Sequence, residues 1–75
     1  MILICKAEFR GSSARTDDKG HTYQYVNIED VNGESAKFSC DNSIELKNFK
    51  KGDNLNFAID YNSKYGCLKV VDISK

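Results

Sequence analysis

The chain has no proline, no tryptophan, a single histidine and no excess of charge: 11 Lys and Arg stand against 11 Asp and Glu in 75 residues. That balance excludes a global electrostatic pull toward nucleic acid or an anionic membrane, but not a local basic face. No apolar run approaches the ~20 residues of a membrane-spanning helix. No apolar segment behind a basic start reads as a secretory signal. The three cysteines, Cys5, Cys40 and Cys67, are widely spaced with no Cys-x-x-Cys. This argues against a disulfide framework or a zinc knuckle and predicts small, reduced, buried hydrophobes in a cytoplasmic setting. The lone His21 has no evident acid–base partner, and neither a Gly-rich phosphate loop nor metal-ligand spacing is present. No catalytic activity, cofactor or metal is therefore expected.

What is there is one small domain, residues 1–75, with a thin core. Charge is unevenly spread. Residues 1–25 carry four positive and three negative side chains, 26–46 one and five, and 47–75 six and three. Any basic surface must therefore draw on both ends of the chain. Residues 2–10 read as a first strand, apolar on both faces through Ile2, Leu3 and Ile4, then amphipathic. Such a start fits a strand serving two sheets of a barrel, one covered by a second subunit, or one simply well buried. Residues 11–21, with no hydrophobic periodicity, predict a long flexible connection.

The stretch from Gly20 to Val31 alternates with period two: Val26 and Ile28 on one face, Tyr23, Tyr25, Asn27 and Glu29 on the other. The turn Asp30-Val31-Asn32-Gly33 leads to a third strand, Glu34–Cys40. A type I turn with Gly33 as a left-handed bulge pairs Ile28 with Ala36 and Val26 with Phe38, apolar against apolar. It sets Lys37 and Ser39 on the outer face with the tyrosines. Ser43 is expected to cap one helical turn whose Leu46 and Phe49 plug the barrel. Strands over 54–61 and 67–73 follow, the fifth apolar on both faces and so sandwiched or bulged. All four phenylalanines fit inward positions; Tyr65 stands in the fourth–fifth loop with no packing reason for an aromatic.

Five strands with one short plug after the third predict an all-β, five-stranded Greek-key barrel of the OB type, with an SH3-like barrel as the alternative. Three patterns then resemble the small single-stranded-DNA-binding proteins of filamentous bacteriophages. Gly20-His21-Thr22-Tyr23 is similar to that family's Gly-x-x-Tyr. Ala36-Lys37-Phe38-Ser39 resembles its apolar-Lys-apolar-polar third strand, and Tyr65-Gly66-Cys67-Leu68 its aromatic-Gly-x-Leu hairpin. The resemblance spans about residues 15–73 and implies a dimeric OB-fold protein that coats replicating single strands, from a phage or other mobile element. It departs from the family in having only Arg15 in the wing and Asp72 in a strand where the family carries arginine.

The functional expectation is non-catalytic binding of single-stranded DNA, with RNA as an alternative ligand. Tyr23, Tyr25 and Tyr65 would stack on bases. Lys37, Arg15, Lys64, Lys6 and Arg10 would meet phosphates, with Ser39 beside them. A homodimer is expected and no membrane partner. Two other readings stay open: cross-strand packing as the whole purpose of the tyrosines, and a protein-interaction barrel using the tyrosine face and Ile2–Ile4.

Overall fold

The computed structural model, which describes residues 1–75, has five strands: β1 Ile2–Thr16, β2 Thr22–Glu29, β3 Ser35–Cys40, β4 Asn54–Asn62 and β5 Cys67–Ser74. They close into a barrel in the order β1-β2-β3-β5-β4, with β4 returning to β1. All pairs are antiparallel except β3–β5. This is the expected OB-type barrel, closed on itself through the β1–β4 and β3–β5 pairs.

The interior follows from alternation. Ala7 and Phe9 of β1, Val26 and Ile28 of β2, Cys40 of β3, Leu55, Phe57 and Ile59 of β4 and Val70 of β5 are buried together with Leu46. Phe38 and Phe49 pack against this cluster, so all four phenylalanines do face inward. The plug between β3 and β4 is a single 3-10 turn, Leu46–Asn48. Ser43 does not cap it. Instead Asp41 accepts a hydrogen bond from the Ser43 amide at 2.9 Å, forming a turn ahead of the helix. Burial holds for Cys40, but Cys5 is half-buried and Cys67 exposed. Cys67 escapes the interior because it opens β5 directly after a surface turn.

The turn after β2 forms as its pattern predicts: Ile28 pairs with Ala36 and Val26 with Phe38. Gly33 has φ +81°, and the Asp30 carboxylate accepts the Asn32 and Glu34 amides, both at 2.9 Å. β5 is bulged, its register shifting opposite Ala58 and Ile59.

The first connection departs from expectation. Residues 11–16 are not loop but the second half of β1, hydrogen-bonded to β2 from Ser12↔Val26 to Thr16↔Thr22. A bulge between Phe9 and Gly11 makes this possible, and it reverses the phase of the strand. Before the bulge the outward residues are even-numbered; beyond it they are odd, so Ser13 and Arg15 share the outer face with Tyr25 and Tyr23. The true connection, Asp17–His21, repeats the later turn. The Asp17 amide bonds the His21 carbonyl, Gly20 takes φ +83°, and the Asp17 carboxylate accepts the Lys19 and His21 amides at 2.9 Å.

An added Cβ at Gly20 would touch nothing, and at Gly33 only Glu29 Oε1 at 3.9 Å. Substitution at either site therefore carries the left-handed backbone cost alone. Gly20→Ala and Gly33→Ala should each lower stability by about 1–2 kcal/mol in urea denaturation. A loss at Gly33 with none at Gly20 would show that the first hairpin does not hold this turn.

Candidate nucleic-acid interface

Cross-strand register assembles the outer surface of β1, β2 and β3. One row runs Ser13–Tyr25–Ser39–Lys69 across four strands, and its neighbours set Arg15 opposite Tyr23 and Asn27 opposite Lys37. Ser13, Ala14, Arg15, Tyr25, Lys37 and Ser39 line a groove of about 470 Å³. Ser39 also borders a second hollow with Tyr23, Gln24, Asn42 and Lys69. Tyr25 is half-buried in the groove floor, whereas Tyr23 is 41% and Tyr65 68% exposed.

Each of these tyrosines carries a cation over its ring: Arg15 at 5.8 Å from the Tyr23 centroid, Lys37 at 4.8 Å from Tyr25 and Lys64 at 5.4 Å from Tyr65. Such pairs contribute roughly 0.5–1 kcal/mol at exposed sites. They also hold a cation beside each π face.

Tyr23 is further anchored through its hydroxyl, which donates to Asp17 Oδ2 at 3.2 Å. The hydrogen bond from the His21 amide, aided by those from Lys19 and Tyr23 and by the Arg15 charge, holds the Asp17 carboxyl below its ordinary range. Asp41 is lowered likewise, by the Ser43 amide and hydroxyl and then by Lys69, whose Nζ lies 4.0 Å away.

Tyr23, Tyr25, Lys37, Arg15 and Ser39 thus share one surface. Tyr65 and Lys64 sit together in the β4–β5 turn, and neither lines the groove. Tyr65 precedes Lys69 by four residues, on the Lys37 side of the parallel β3–β5 pair. Arg10 lies beside Lys37, but its guanidinium is engaged by Glu8 at 3.1 Å and Glu29 at 3.6 Å. Glu8 and Glu29 are directly opposed on β1 and β2; Arg10 relieves their repulsion. Lys6 is not brought to the groove. It pairs with Asn56 on β4 and borders a hollow with Glu8, Glu29 and Asp30.

Lys69, Gln24 and Asn42 belong to the surface although the sequence pattern did not single them out. Gln24 Nε2 donates to the Asp41 and Ile44 carbonyls at 3.1 and 2.9 Å, and Asn42 donates to the Thr22 carbonyl at 2.8 Å. Both therefore brace the plug segment against β2.

Compared with known proteins, the chain matches no family model, no curated protein and no solved structure. The site defines its class by geometry alone: an OB-type barrel with an aromatic, cation-flanked groove across β1, β2 and β3. No helix is long and apolar enough to cross a membrane.

Because the folded Asp17 carboxyl is depressed, its contribution to the β1–β2 turn is present above the ordinary aspartate value. It is lost as pH falls through the lower folded value. Amide exchange at Lys19 and His21, corrected for intrinsic rates, should be protected at pH 6 and lose that protection only as the pH falls beneath the ordinary aspartate range. Asp17→Asn should abolish that pH dependence.

Proposed function

We propose that this protein is a non-catalytic, cytoplasmic single-stranded nucleic-acid-binding protein with single-stranded DNA as its ligand and little sequence preference. The observation that carries the reading is the coincidence of tyrosine, cation and groove on one sheet surface. Bases stack on tyrosine faces, with roughly 1–3 kcal/mol per base and tolerance of any sequence. Arg15, Lys37 and Lys64 now rest on those rings. On binding, each swings from ring to phosphate and leaves the π face to a base. Lys69 adds a cation at the β5 edge of the surface.

Kinship with the filamentous-phage single-stranded-DNA-binding proteins, and so a role on replicating strands of a phage or mobile element, is part of the proposal. It is supported by where the three resembling motifs fall. Gly20–Tyr23 ends the protruding β1–β2 hairpin, Lys37 faces out on β3, and Tyr65 tops the β4–β5 turn.

Titration with oligo(dT) should quench tyrosine emission, which no tryptophan masks. Three or four phosphate contacts predict a log–log salt slope of about −2 to −3. Tyr23→Ala and Tyr65→Ala should each weaken binding by about 1–3 kcal/mol, and Tyr61→Ala by clearly less. Unchanged emission and no gel shift at low salt would refute the reading. Equal losses at all three tyrosines would place the ligand on another face.

A further inference from the structure

The surface away from the tyrosines carries the most conspicuous apolar exposure. On the outward face of β1, Ile2 is 55% and Ile4 68% exposed. They are neighbours two residues apart on one strand face, and β4 adds Ala58 opposite Ile4. Two cross-strand rows define the face: Ile2–Asp60–Lys69 and Ile4–Ala58–Asp72. Charges of both signs flank the apolar pair.

We propose that this β1–β4–β5 face joins the protein to a second copy of itself. The partner is identified by self-complementarity, because an isologous interface must present to its copy the features that it receives. A two-fold axis running across the strands, midway between the rows, lays β1 on β1 and β5 on β5. It sets Ile2 against Ile4 of the second copy, Lys69 against Asp72 of the second copy, and Asp60 against Ala58 of the second copy, with the Met1 ammonium 3.5 Å from the Asp60 carboxylate to offset its charge. Each contact occurs twice. The other simple choice, an axis along the strands through β4, would oppose Ile2 to Lys69, Ile4 to Asp72 and Asp60 to its own copy. Charge and hydrophobicity both select the first arrangement.

The dimer is built back to back. The outward face of β2 and β3 stays free on each protomer, and Lys69 stands at the boundary between the two surfaces. This inference does not depend on the nucleic-acid reading, and its test contains no nucleic acid.

The test is sedimentation equilibrium of the full chain, with far-UV circular dichroism to verify folding. The wild type should show twice the 8.5 kDa chain mass at about 100 µM, a concentration at which even a micromolar dimer is saturated. Ile2→Gln with Ile4→Gln replaces two exposed side chains without changing charge, and should give folded monomers. Asp72→Lys should raise the dimer dissociation constant about tenfold or more by opposing two lysines, and adding Lys69→Asp should recover most of that loss. A monomeric wild type, a folded glutamine variant that still dimerises, or no rescue by the double charge reversal would each overturn the proposal.

Discussion

Two aspartates decide which way β2 faces. Asp17 and Asp30 each accept two backbone amides across a five-residue turn closed by a left-handed glycine. Those hydrogen bonds set the register of β2 against β1 on one side and against β3 on the other. A one-residue slip would send Tyr23 and Tyr25 into the barrel and turn Val26 and Ile28 out to water. The aromatic surface therefore rests on turn chemistry, with the fully buried Val26 penalising any slip from the other face.

The barrel was largely legible from alternation because most of its strands have a wet and a dry side. The second half of β1 was not, for a physical reason. Gly11–Thr16 extends with β2 into a hairpin that has little core to cover, so neither of its faces needs apolar residues. Hydrophobic periodicity cannot report a ribbon that buries nothing, and the bulge at Gly11 shifts the phase just where the pattern fades. The signal lay in turn chemistry: Asp17-Asp18-Lys19-Gly20-His21 has the same Asp-x-x-Gly-x spacing as Asp30-Val31-Asn32-Gly33-Glu34. The rule that placed the second turn, applied to the first, pairs Arg15 with Tyr23.

The candidate site divides along the same line. Tyr23, Tyr25, Lys37 and Ser39 could be grouped from sequence because one hairpin joins them. Lys69 could not, since it reaches Ser39 only through the parallel β3–β5 pair, a contact between distant parts of the chain that no local pattern encodes. Lys6 and Arg10 differ in the opposite direction, for the fold sets them outside the groove. Chosen for charge, Lys6 precedes the bulge and lies beside Asn56 of β4, while Arg10 sits in the bulge itself, held by the opposed Glu8 and Glu29.

The bulged hairpin also recasts the neutral charge balance. Four aspartates, Asp17, Asp30, Asp41 and Asp53, accept turn amides through their carboxylates. Glu8 and Glu29 share Arg10. Much of the chain's negative charge is thus spent on structure, its field partly cancelled by the N–H dipoles and the cation it engages. Arg15, Lys37 and Lys64 have no carboxylate within ion-pair distance and lie over tyrosine rings instead. A cation held by a π face loses little when it transfers to a phosphate, because exposed cation–π pairs are weak beside a charge-assisted hydrogen bond. Zero net charge and a surface of unpaired cations are therefore compatible in this molecule. The acids stabilise the turns, and those turns leave the cations unpaired on the outer sheet.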